Sequence, residues 1–104
     1  MELYFLQYES VPSPSSENYK DTGGAFINCW IKAKSIEDAK KQAEISIKES
    51  EWIILKLEES YPVNREFYEN GDESLEYFQQ AEIDGQVYVY HSWPNEPQEE
   101  KNIH

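Results

Sequence analysis

Two side chains in this chain could do nucleophilic or acid–base chemistry, Cys29 and His91, and one group, the carboxylates between Glu58 and Asp84, could act by charge alone. A cysteine becomes a nucleophile only with a lowered pKa and a base beside it. Cys29 lies mid-run in Ala25–Ala33, on the side shared by Ala25, Ile27, Ile31 and Ala33, and this pattern points to a buried, inert thiol. His91 falls on the same expected layer and is the one partner within the fold; it equally suits a strand end near the surface, and His104 lies in the tail. Gly23-Gly24 opens no helix and precedes no phosphate-loop lysine, so hairpin geometry explains it better than an anion cradle. Asn70-Gly71-Asp72-Glu73-Ser74 lacks the oxygen spacing and closing glutamate of a calcium loop. No catalytic residue, metal or cofactor is therefore assigned; a non-enzymatic role is favoured over a catalytic one, and the second stays open as an alternative.

Charge is distributed unevenly. Residues 1–50 carry eight acids against six lysines, a net of −2, whereas residues 51–104 carry thirteen acids against Lys56, Arg65 and Lys101, a net of −10, which together give −12. Between Glu58 and Asp84 the acids are Glu58, Glu59, Glu66, Glu69, Asp72, Glu73, Glu76, Glu82 and Asp84, with Arg65 alone opposing them. Such a surface repels nucleic acid and steers a basic protein toward it. The plainer account is a solvated helix face that serves solubility.

A chain of 104 residues buries about 65% of its unfolded surface, enough for one core. Only 38% of residues are apolar, but eight Tyr, three Trp and four Phe argue against disorder. One cysteine excludes an internal disulfide, and the start Met1-Glu2-Leu3-Tyr4 has no basic, apolar leader; the expectation is a cytoplasmic protein with no membrane span.

Residue patterns place a strand at Leu3–Tyr8 that ends near Glu9 before Pro12 and Pro14, and a second at Ala25–Ala33. Ser35 caps a helix running to about Ser50 with the stripe Ile36, Ala39, Ala43, Ile47. A third strand covers Trp52–Glu59 and stops by Pro62; a second helix starts at Asp72 with Leu75, Phe78 and Ala81 inward; a last strand covers Gln86–Ser92. This predicts an α+β two-layer sandwich, order β-β-α-β-α-β, a four-stranded mainly antiparallel sheet with two helices on one face. The expectation is a single domain over residues 1–93 followed by a flexible acidic tail over 94–104.

Small helix residues suit an aliphatic layer, so Ile27, Cys29, Ile31, Ile53, Leu55, Leu57, Val87 and Val89 are expected beneath the helices. Phe26, Trp30, Trp52, Ile54, Tyr88 and Tyr90 then share the open face, which would serve as an interface, most simply in a sheet-to-sheet homodimer. Alternatively, the 10–23 loop folds back over these rings.

In size, charge, the Gly23-Gly24-Ala25…Cys29-Trp30-Ile31 strand and the His91-Ser92-Trp93-Pro94 close, the chain resembles small acidic α+β proteins of bacterial genomes, among them immunity proteins that neutralise a nuclease toxin. The resemblance implies acids occupying a toxin's basic substrate groove and carries no individual residue role. Two expectations follow. The first is a non-enzymatic binding domain of immunity or inhibitor type, using Glu58, Glu59, Glu66, Glu69, Asp72, Glu73, Glu76 and Asp84 against a basic partner such as a nuclease toxin. The second is a dimeric small-molecule-binding or catalytic domain with a pocket under the 10–23 loop near His91.

Overall fold

Leu3, Tyr4, Phe5, Leu6 and Tyr8 are all buried, and since successive strand residues point to opposite faces, this strand must be covered on both sides. The computed structural model, which describes residues 1–68 and 72–95, shows how. Its elements are β1 (Glu2–Pro12), β2 (Thr22–Ala33), α1 (Ile36–Glu49), β3 (Trp52–Val63), a single 3-10 turn at Arg65–Phe67, α2 (Glu73–Asp84) and β4 (Gln86–Pro94). They form an α+β fold in the expected order β-β-α-β-α-β, with one antiparallel sheet of strand order β3-β1-β2-β4. No helix among the described residues is long and apolar enough to cross a membrane.

The local signals for the helices work as chemistry requires. Ser35 accepts a hydrogen bond from the Asp38 amide (3.1 Å), and Asp72 accepts one from the Ser74 amide (2.8 Å), each satisfying an amide that the first helical turn leaves free. Gly85 ends α2 at φ +89°, a left-handed conformation that glycine adopts without Cβ strain.

The two helices do not share a face. Ala39, Ala43 and Ile47 of α1 pack with Tyr4, Leu6, Tyr8, Ala25, Ile27, Cys29, Ile31 and Trp52, while Phe78 and Ala81 of α2 pack with Leu3, Phe5, Trp30 and Val63. These sets hold alternate residues of β1 and β2, so the sheet lies between α1 and α2 in three layers, and the expectation of two layers is corrected. The physical reason is β1 itself: its continuous apolar run, unlike an alternating one, needs two covers.

Strand lengths and facing also differ from expectation. β1 and β3 run on to Pro12 and Val63; Pro62 is tolerated because β3 is an edge strand, where a missing donor costs no ladder bond. β3 breaks register with β1 twice, between Gln7 and Tyr8 and between Glu9 and Ser10, and each irregularity adds a residue on β3. As a result Leu57 and Ile54 face α1 with Trp52, whereas Ile53 (45% exposed) and Leu55 (55%) are left outside the core. In β4, Val87 and Val89 face α2, and Tyr88 faces α1. The proposed single aliphatic layer is thus divided between two cores. Pro94 belongs to β4, pairing with Thr22, and Asn95 donates its amide to the Asp21 carbonyl (3.0 Å); the rest of the expected tail lies outside the described residues.

The cores have a pH consequence. Burial, followed by the Glu44 charge, holds the Tyr8 phenol well above the ordinary tyrosine range, and burial pushes Tyr88 up to about 12. Tyr61 and Tyr68 are also raised, with burial as the main cause. A phenol whose pKa is higher folded than unfolded retains its proton in the fold, so its stabilising contribution is complete below the unfolded value near pH 10 and is lost as pH rises toward the folded value. Stability should therefore fall steeply between about pH 10 and 12. Thermal melts across that range, with tyrosinate absorbance read in parallel, would show the fall; a melting temperature unchanged up to pH 12 would contradict it.

Candidate partner-binding surface

The sheet separates two differently charged helices. Along α1, Glu37, Asp38, Glu44 and Glu49 are interspersed with Lys40, Lys41 and Lys48, close to balance. Along α2 stand Glu73, Glu76, Glu82 and Asp84 with no basic residue in the helix. α2 packs on β4 and β2 on the side opposite α1. Part of the charge imbalance between the two halves of the sequence thereby becomes a difference between two helices on opposite faces of the sheet.

Cations reach this face from neighbouring elements. Arg65 meets Glu82 at 2.7 Å, and the Lys32 ammonium donates to the Glu82 carbonyl at 3.3 Å. Both contacts are exposed, and pairs of that kind contribute roughly 0–1 kcal/mol. Asp72, Glu73, Glu76 and Asp84 are all exposed, and among the described residues none has an ion-pair partner. Asp72 and Glu73 stand at one end of α2 and Asp84 at the other, separated by about 18 Å of helix. Glu66 adds to this group from the 3-10 turn that precedes α2. Glu58 and Glu59 come from edge strand β3: Glu58 pairs with Lys56 at 3.7 Å, and Glu59, opposite Gln7 on the α2 side of the sheet, accepts from the Tyr61 hydroxyl at 3.3 Å. Glu69 lies outside the described residues.

The five aromatic positions expected to form one interface are distributed over both faces. Phe26 is half exposed on the α2 side, beyond the helix, against Trp93 at 5.3 Å between ring centroids. Trp30 is 1% exposed beneath α2, with its Nε1 donating to the Tyr68 hydroxyl at 2.8 Å. Trp52, Tyr88 and Tyr90 are on the α1 side, with Trp52 and Tyr90 5.5 Å apart. Sequence reasoning overlooked Trp93, although a signal existed: a Cβ on Gly24 would come within 2.5 Å of the Trp93 ring, so the paired glycines make room for it.

Trp52 and Tyr90 also line a groove of about 420 Å³ with Asn18, Thr22, Ser50 and Ser92, at the edge of the loop between β1 and β2. These six residues come from five places in the chain, the β1–β2 loop, the start of β2, the C-cap of α1, β3 and β4, which no sequence spacing brings together. His91 is not among them; it pairs with Phe26 on the α2 side, whereas Cys29 pairs with Leu6 and Tyr88 on the α1 side. The expected common layer of Cys29 and His91 is corrected accordingly, because neighbouring β4 residues face opposite ways. Cys29 is fully buried, its Sγ 3.8 Å from the Ile27 carbonyl, and burial pushes its pKa far up. Among the described residues no three His, Cys, Asp or Glu side chains gather as a metal site.

Fold and surface together define an α+β domain whose sheet divides a charge-balanced helix from an acidic one. No family model matches the chain, and no curated protein or solved structure matches it either.

Proposed function

We propose that this chain is a non-enzymatic protein-binding domain, of immunity or inhibitor type, that engages a basic partner such as a nuclease toxin through its α2 side. The observation that carries this reading is the one-sided charge: four acids and no base on α2, against three lysines among the four acids of α1. Like charges placed together on one face destabilise the fold by mutual repulsion, and a cationic partner converts that cost into attraction and faster encounter. Cys29 as a free thiol supports a cytoplasmic setting.

The test compares two variants of equal net charge. Glu73→Lys/Glu76→Lys on α2 should weaken binding to an inactivated cationic nuclease domain by roughly tenfold or more at low salt, whereas Glu37→Lys/Glu49→Lys on α1 should weaken it far less. Equal losses would mean that net charge alone acts, and no binding by the unmodified protein to a panel of such domains would remove the reading.

The groove at Trp52 and Tyr90 favours a second reading, a small-molecule-binding domain, because its volume falls in the range of ligand sites and it combines aromatic rings with neutral hydroxyl and amide groups. A melting-temperature screen against metabolites, repeated with Tyr90→Ala, tests it: a stabilising ligand whose effect survives that substitution would place binding elsewhere.

A further inference from the structure

The two outer edges of the sheet are built differently. β3 carries two bulges along its pairing with β1 and includes Lys56, Glu58, Glu59 and Pro62, all features that hinder another strand from adding to an edge. β4 carries none of these between Gln86 and Trp93: it has no charge and no proline, and its register with β2 is unbroken from Ile31–Gln86 to Gly24–Trp93. Among the described residues no strand pairs with its outer side.

The phase of its hydrogen bonds follows from one contact. The Lys32 amide donates to the Gly85 carbonyl at 2.9 Å, which makes Lys32–Gly85 a hydrogen-bonded pair position. In an antiparallel ladder such positions alternate, so Val87, Val89 and His91 direct their backbone groups to β2, and Gln86, Tyr88, Tyr90 and Ser92 direct theirs outward. α2, with its four acids and no base, packs on this same strand.

We infer that the outer edge of β4 accepts an extended basic segment of the partner as a fifth strand. This rests on the proposed binding of a basic partner and adds the mode of docking. Backbone groups of Tyr88, Tyr90 and Ser92 supply the ladder. Lysines or arginines on the segment's α2-facing side meet Glu73, Glu76 and Asp84, while apolar residues on its other side meet Tyr88 and Tyr90. A second copy of this chain fits less well, because pairing β4 with β4 would set two all-acidic α2 helices beside one seam, in a dimer of two chains of charge −12 each.

The probe is a synthetic eight-residue peptide of alternating lysine and valine. It should bind the full chain and slow hydrogen exchange at the Tyr88, Tyr90 and Ser92 amides by about tenfold or more, and N-methylation of its alternate amides should weaken binding by a similar factor. A peptide of alternating glutamate and valine should not bind. If the lysine peptide binds in a salt-sensitive way but its methylated form binds equally and those amides are unchanged, the edge proposal is overturned while the acidic-surface reading stands. If the glutamate peptide protects the amides as well as the lysine one, the basic occupant is overturned. Protection that appears with protein concentration alone would identify a second copy and overturn it too.

Discussion

Trp30→Ala should lower the melting temperature by roughly 12 to 40 °C. Truncating a buried Trp costs about 3–5 kcal/mol, and each kcal/mol shifts the midpoint of a domain this size by about 4–8 °C. Trp30 warrants the upper part of the cost range because it joins three elements at once. Its ring stacks at 5.1 Å from both Phe5 of β1 and Tyr77 of α2, and its Nε1 holds the Tyr68 hydroxyl ahead of α2. Removing it opens a cavity under α2 and leaves that hydroxyl without its donor. Thermal unfolding followed by circular dichroism measures the effect, with Trp93→Ala, on a half-exposed ring, expected to cost far less. A shift under about 5 °C for Trp30→Ala would mean that α2 is not held by this cluster.

Cys29 should be almost unreactive in the folded protein. Alkylation by iodoacetamide at pH 8 needs both access and thiolate; burial denies the first and, by raising the pKa, the second. Reaction then proceeds only through opening, and since unfolded fractions of ordinary domains are on the order of 10⁻³ to 10⁻⁶, native labelling should be slower than labelling in denaturant by at least about 10³-fold. The same thiol reports on the first experiment. A loss of about 3–5 kcal/mol in Trp30→Ala should raise the labelling rate by roughly 10²- to 5 × 10³-fold if opening is global. Rapid labelling of the native protein would show that the α1 side is not closed over Cys29.

Legibility varied with how local the controlling physics is. Ser35, Asp72 and Gly85 announce the helix ends because a cap acts within three residues of itself. The stripes Ala39, Ala43, Ile47 and Phe78, Ala81 were visible for the same reason, since helical period places them on one side whatever they touch. The placement of α1 and α2 was misjudged on information that was present: Leu3-Tyr4-Phe5-Leu6 is apolar without alternation, and only a strand covered twice requires that.

The facing of Ile53, Leu55 and Leu57 was a different matter. Each irregularity in β3 reverses which face later residues present, and a bulge depends on how the partner strand lies beside it, not on the residues of β3 alone. The groove at Trp52 and Tyr90 was hidden for a related reason, because it gathers side chains from the β1–β2 loop, the start of β2, the C-cap of α1, β3 and β4. Local order thus determined the elements, their sequence along the chain, the inert cysteine and the total charge. Only the tertiary structure decided that the acids of α2 stand on the far side of the sheet from the lysines of α1, and that β4 is an edge strand beside them, unpaired on its outer side among the described residues. Which face a helix covers and which strand lies outermost are set by pairings between distant residues, and caps and periodicity carry no record of those.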